Sequence, residues 1–258
     1  MIAARDHLAD IQIRSCFYAP GLSQPRHCDE KPRISVVVEG EFAEETNRFT
    51  GKISAGAVLM KSDHGAHSTR FGDTGAFIVS LIFSNQLFDE VVGPIEDGWR
   101  LIDKAPGVRL AARLLEAALS RNVRAVQTAA ADAASVFTPI GGQSRKHPVW
   151  LSRVKDELAD TGLRTFDVAA ASRSAGVHPA HISRQFKRAY GETISDFARR
   201  NSVRRAMSAL AREQTSLADA ALAAGFYDQS HMNRAFRAVA GVTPMQWRRL
   251  SASFLKFP

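Results

Sequence analysis

Two segments of the chain line up hydrogen-bond donors and positive charge along one stripe of a helix. In the first, Ala180, Ser183, Arg184 and Lys187 share a face; in the second, Ser230, Asn233, Arg234 and Arg237 do, with Gln229 beside them. The residues between them, Ile182 and Phe186, then Met232, Phe236 and Val239, are apolar and recur at helical spacing, which makes them an inner face. On the outer stripe, Arg184 and Arg234 have the position for a bidentate pair to guanine O6 and N7. Asn233 and Gln229 can pair with adenine, and Ser183, Ser230 and the small Ala180 suit a thymine methyl or leave room for water. This is chemistry for a DNA major groove.

The elements that must hold these stripes are legible on either side. Ser216 with Asp219 makes a capping-box-like start for a slim helix carrying Ala220, Ala221 and Ala224. Gly225 supplies a turn, Asp228 caps the next helix, and Gly241 and Pro244 stop it. Upstream, the span Thr165–Ala175 precedes a helix over Pro179–Tyr190, with His178 at its cap and Pro179 where a missing N–H is harmless. The two units are copies. A shift of 50 residues lays Ala170 on Ala220, Ala171 on Ala221, His181 on His231 and Arg184 on Arg234. The same shift lays Phe186 on Phe236, Lys187 on Arg237, Gly191 on Gly241 and Thr193 on Thr243, while Gly176 and Gly225 fall out of step by one. Between the copies a longer helix is predicted from about Ile194 to Arg212, with Val203, Met207 and Leu210 buried and Arg199, Arg200, Arg204 and Arg205 emerging around it. About 18 residues at 1.5 Å each span roughly 27 Å, enough to hold two helices near one DNA turn apart.

Trp150–Arg249, about 100 of the 258 residues, resembles the AraC/XylS-type DNA-binding domain. GFYDQSHMNRAFR followed by GVTPMQWRR is very close to that family's signature, and AGVHPAHISRQFKRAYGETISDFARR matches its other half. The resemblance implies a sequence-specific transcription regulator, more often an activator than a repressor. It also implies RNA polymerase as a partner, a small-molecule effector, and a homodimer contact in helices next to the sensor. Phosphate contacts position such a protein whereas base contacts specify its site. Lys187, Thr193, Arg199, Arg200, Arg237, Thr243, Arg248 and Arg249 are assigned to the DNA backbone. Phe186, Phe226, Phe236 and Trp247 read as core, and His181 and His231 as either groove contacts or packing.

Charge agrees with this division. Residues 150–258 hold 17 Lys+Arg against 9 Asp+Glu, the whole of the chain's excess of +8, and residues 1–149 are balanced at 17 each. A basic half tethered to a neutral one suits a polyanion partner for the basic half alone. Hydrophobic residues at 45% and charged ones at 23% exclude a disordered chain. The two cysteines, Cys16 and Cys28, form no metal-type pair and suit a reducing cytoplasm. No secretory leader and no apolar run of membrane-spanning length is read, so a cytoplasmic protein without a membrane partner is expected.

The N-terminal part reads as β. Arg33–Glu39, Ala57–Lys61 and Ala76–Phe83 are aliphatic or β-branched runs separated by glycines, which points to a small barrel or sandwich with Val36, Val38, Phe77, Val79 and Leu81, or their alternates, inside. The spacing from Gly21 to His27 and from Gly56 to His67 resembles a degraded cupin. Metal-binding cupins use two histidines and a glutamate from the first motif and a histidine from the second. Here His27 and His67 match, Asp29 stands at the second histidine position and Arg33 at the glutamate position. Arg33 cannot ligate, and its charge would oppose a cation. His64, three residues from His67, is a substitute candidate, but His64 and His67 read better as loop residues. No metal site, cofactor or catalytic residue is therefore assigned, and the chain is not expected to be an enzyme.

The expected architecture has two domains: an N-terminal all-β cupin-like barrel with a helical extension, and a C-terminal all-α domain with two helix-turn-helix motifs joined by a long helix. Its limits are 1–90 for the sensor barrel, 91–137 for a helical dimerisation or covering segment, 138–148 for the linker, 149–250 for the DNA-binding domain and 251–258 for a tail. Two other readings remain: a weakly specific architectural DNA binder, and a metal-dependent cupin enzyme that the C-terminal half localises.

Overall fold

The computed structural model describes residues 2–8, 10–95, 98–102, 105–136, 148–161, 166–212 and 215–255; the interdomain linker expected over 138–148 falls almost wholly outside them. The N-terminal half is a sheet of eight strands: β1 (Ile2–Leu8), β2 (Ile11–Tyr18), β3 (Ser23–His27), β4 (Arg33–Glu45), β5 (Thr50–Ser54), β6 (Val58–Lys61), β7 (His67–Phe83) and, after the short helix α1 (Asn85–Val91), β8 (Trp99–Ile102). Its path runs β1-β2-β7-β4-β6-β8, with β3 on β7 and β5 on β4, and every pair is antiparallel. The sheet therefore continues past residue 90, where the sequence reading ended it. Among the described residues no pairing joins β1 to β8, so the expected barrel is a curled sheet without strand closure.

The long strands β4 and β7 pair from Arg33↔Ile82 to Glu45↔Ser68, and register shifts around Val37–Phe42 bend both. Gly40 sits at that bend with φ +76°, where a Cβ would come within 2.0 Å of the Gly75 carbonyl oxygen. Only glycine permits so close a crossing of backbones. The curl brings Glu44 of β4 onto Lys61 of β6, 2.8 Å away, and onto the indole N–H of Trp99 in β8.

Alternate residues of these strands serve two cores. Val36, Val38, Phe77, Val79 and Leu81 face the helices α2 (Ala105–Ser120) and α3 (Val123–Val136), whereas Val37, Phe42, Ile53, Leu59, Phe71, Ile78 and Trp99 form a separate cluster under the curl. The set expected inside the barrel thus lies against the helices, and its alternates fill the curl.

The C-terminal half is helical: α4 (Val149–Thr161), α5 (Val168–Ala175), α6 (Pro179–Tyr190), α7 (Ile194–Ala211), α8 (Leu217–Ala223), α9 (Gln229–Ala240) and α10 (Pro244–Leu255). The last helix passes the limit expected at residue 250. Two cores divide this half. Leu151, Val154, Leu158, Ile182, Phe186, Ile194 and Phe197 close one around α4–α6 and the first turns of α7. Val203, Met207, Leu210, Phe236 and Trp247 belong to the other, which is continuous with Leu110, Leu114 and the sheet. The second helical unit therefore shares its core with the N-terminal half. No helix of the described residues is long and apolar enough to cross a membrane.

Candidate nucleic-acid interface

Each of the helix pairs α5–α6 and α8–α9 is set by its caps. The Asp167 carboxylate accepts from the Ala169 N–H to start α5, and Gly176, at φ +64°, ends it. His178 and Pro179 start α6, and Gly191 closes it in the left-handed conformation. In the second copy the Ser216 hydroxyl accepts from the Asp219 N–H at 3.0 Å to start α8, and Asp228 accepts from the His231 N–H at 2.6 Å to start α9. Gly225 turns between them at φ +85° and Gly241 ends α9 at +76°. The first turn places its left-handed glycine at the cap itself, and the second places it one residue later, after Ala224. Between that glycine and the next cap the first turn has one residue, Val177, and the second has two, Phe226 and Tyr227, which accounts for the one-residue slip between the copies.

α6 and α9 are seated by Ile182 and Phe186 and by Met232 and Phe236, all without exposed surface. Phe226 and Trp247 are buried too, and the Trp247 indole N–H donates to the Met207 carbonyl at 3.0 Å. Seating those side chains leaves Ala180, Ser183, Arg184 and Lys187 exposed on α6, and Gln229, Ser230, Arg234 and Arg237 exposed on α9. Asn233 is half-buried. Neither helix carries an acidic residue, so each exposed stripe is a band of donors and positive charge. Ser183 is partly engaged, its hydroxyl donating to the Pro179 carbonyl at 3.4 Å. His181 is half-buried beside Trp150, and His231 is exposed, edge-on to Phe226. Arg188 and Tyr227 are also exposed, the latter by 78%. Sequence reasoning passed over both, although Tyr227 lies between core Phe226 and the cap Asp228, where an outward residue is due.

The residues assigned to the DNA backbone divide into two groups. Lys187, Arg199, Arg237 and Arg249 are exposed, with Arg199 on Asp196 at 3.1 Å. Arg200 is a correction: it is 3% exposed and its guanidinium pairs with Glu192 at 2.8 Å. Arg204 is buried as well, and Arg205 donates to the carbonyls of Ala159 and Ala224. Of the four arginines read as emerging from the long helix, Arg199 alone is exposed. The reason is that α7 packs against both cores, so most of its circumference is interior. Arg248 is half-buried on the Thr215 carbonyl. The hydroxyls of Thr193 and Thr243 accept from the N–H groups of Asp196 and Gln246 as helix caps.

The other chemistry-bearing cluster lies on the sheet. His27 and His67 are ladder partners of β3 and β7, their rings 4.5 Å apart. One ring nitrogen of each and a carboxylate oxygen of Asp29 all lie within 4.8 Å of one another. His67 opens a strand and is 2% exposed, against the loop position expected for it. Burial, then the charge of Lys61, holds its imidazole below the ordinary range. His64 is the loop residue: it contacts Ser62 at 3.0 Å and Asp63 at 3.2 Å on the surface and takes no part in the cluster. Arg33, expected to oppose a cation there, is paired to Asp29 at 3.0 Å.

Residues 171–250 match a family described as a helix-turn-helix domain. The HTH-type transcriptional regulator GlxA of Rhizobium meliloti (strain 1021) is 33% identical over 107 residues, 42% of this chain and 33% of GlxA. The transcriptional activator RhrA of the same organism is 37% identical over 103 residues, 39% of this chain and 32% of RhrA. The chain thus spans about a third of the length of these curated relatives. Among solved structures, ToxT from Vibrio cholerae O395 aligns over 93% of this chain and 98% of its own at 8% identity and a TM-score of 0.39.

Proposed function

We propose, from the AraC-type helix-turn-helix domain in the C-terminal region, that this chain is a sequence-specific double-stranded DNA-binding transcription regulator and not an enzyme. α6 and α9 read successive major grooves, and α7, at 18 residues or about 27 Å, sets the distance between them. The observation that carries this reading is the pair of exposed, acid-free donor stripes, each held outward by a buried phenylalanine at the matching position, Phe186 or Phe236. Arg184 and Arg234 give the base contacts, with Ser183, Ser230, Gln229 and Asn233 beside them. Lys187, Arg199, Arg237 and Arg249 hold phosphate. The N-terminal sheet senses an effector or mediates dimerisation, RNA polymerase is the partner in the cytoplasm, and the similarity to the transcriptional activator RhrA supports activation.

The test is selection of genomic fragments by the purified protein at one fixed, physiological salt concentration, because phosphate-driven affinity varies steeply with salt. One enriched motif spanning about two major-groove segments is the expected result. Binding without enrichment would replace this reading by that of an architectural DNA binder.

A further inference from the structure

We propose that His27, Asp29 and His67 bind a first-row transition-metal dication on the curled sheet. The β3–β7 pairing and the chain just after β3 bring the three together. His27 and His67 are directly paired across β3 and β7, which puts their rings on one face. Asp29 lies two residues beyond His27, past the end of β3, and its carboxylate completes a set of ligand atoms within 4.8 Å.

Two further features fit a metal. The Nδ1 atom of His27 lies 2.7 Å from the Pro25 carbonyl oxygen, and that of His67 lies 2.8 Å from the Gly65 carbonyl oxygen. A carbonyl oxygen only accepts, so in both neutral rings Nδ1 carries the proton and Nε2 keeps its lone pair. Donation of the second ring nitrogen to a backbone carbonyl is the arrangement that orients and strengthens histidine ligands. Independently, Asp29 Oδ2 is buried without a hydrogen-bond partner, while Oδ1 takes the guanidinium of Arg33. A buried carboxylate oxygen left unpaired is costly, and a cation held between it and the two imidazoles satisfies it.

Lys61 is matched by Glu44 at 2.8 Å, and Arg33 shares the Asp29 carboxylate at 3.0 Å through Oδ1 alone. Arg33 occupies one lobe of the carboxylate and leaves the other. Two imidazoles and one carboxylate select a zinc-, cobalt- or nickel-like ion over magnesium or calcium, which favour oxygen alone. Three protein ligands also leave coordination positions for water or for an oxygen-bearing small molecule. Asp29 stands where the cupin pattern has a histidine, so the set departs from the one that pattern uses.

The site stands or falls independently of DNA binding, so its test uses no DNA. The full chain is stripped with a chelator and titrated with Co2+, whose visible absorption reports ligation, then with Zn2+ in a calorimeter. One equivalent per chain is expected. His27→Ala and Asp29→Asn should each weaken binding about tenfold or more, and His64→Ala should leave it unchanged. His27 is half-exposed, so its substitution spares the core, and circular dichroism of each variant checks the fold. Absence of Co2+ binding, or binding that His27→Ala and Asp29→Asn leave intact, overturns the proposal. So does binding abolished by His64→Ala.

Discussion

Arg109, on α2, donates from Nη2 to the carbonyl of Ala238 in the last turn of α9, 3.1 Å away. A helix of the N-terminal half thus satisfies a C-terminal carbonyl of the helix proposed to read DNA, where positive charge also favours the helix dipole. Two other contacts run the same way. Glu39 of β4 pairs with Arg212 at 2.7 Å, and the Gly40 N–H donates to the Ser208 hydroxyl at 3.2 Å. The end of α7 and the helix α9 are therefore anchored to the sheet and its covering helices, whereas α4–α6 close their own core.

That anchoring predicts an effect of Gly241→Ala beyond the loss of a cap. Gly241 holds φ +76°, and a Cβ there would lie 3.3 Å from Arg109 Cγ. The left-handed conformation alone costs about 1–2 kcal/mol for an L-residue. Urea unfolding should show at least that loss, and Gly176→Ala, with open space around it, should show the backbone cost alone. Equal midpoints for the two variants would mean that the α2–α9 contact contributes nothing.

Arg200 and Arg199 should separate cleanly. The Arg200 side chain is 4% exposed and paired with Glu192, while that of Arg199 is 48% exposed and paired with Asp196. Removing one partner of a buried pair leaves an uncompensated charge and costs about 3–5 kcal/mol; an exposed pair is worth about 0–1 kcal/mol. Arg200→Ala should lower the thermal midpoint sharply, and Arg199→Ala should lower DNA affinity with little change in melting. A stable Arg200→Ala protein with weakened DNA binding would restore Arg200 to the phosphate contacts.

These two arginines also mark how far the sequence could be read. Caps, turn glycines and the seats of α6 and α9 depend on residues within one turn of each other, so Asp228, Gly241 and Phe236 stood where local spacing put them. The burial of Arg200 and Arg204 depends on a second core meeting α7 from the other side, which no periodicity within that helix records. The role of Asp29 was hidden for the same reason. Counted along the chain it replaces a histidine, and only the folded chain shows that its carboxylate comes within 4.8 Å of the ligand atoms of His27 and His67. The curl of the sheet likewise decided which alternate set, Val36 or Val37, lay under it.

Alkaline pH should weaken the fold through Tyr18. Burial, then the neighbouring Cys16, pushes its phenol up to about 12, and an unfolded tyrosine titrates near about 10. The folded state thus holds the proton more tightly. The stability this contributes is fully present below about pH 10 and is lost as pH rises towards about 12. Urea midpoints should fall across that window, and Tyr18→Phe should flatten the fall. An unchanged slope in Tyr18→Phe would assign the alkaline loss to other groups.

Arg184→Ala and Arg234→Ala test the base contacts directly. Both side chains are exposed on the outer stripes of α6 and α9. Each substitution should cost about 1–3 kcal/mol on the selected site and relax preference at one base pair. If α7 sets the two helices on one face of the duplex as proposed, the two relaxed positions should lie about one DNA turn, roughly 34 Å, apart. Since the two residues sit on separate helices seated in separate cores, their costs should add. Fragment selection with each variant reads position and size together. Uniform weakening on every sequence, with a shallower salt dependence, would show that these arginines neutralise phosphate instead.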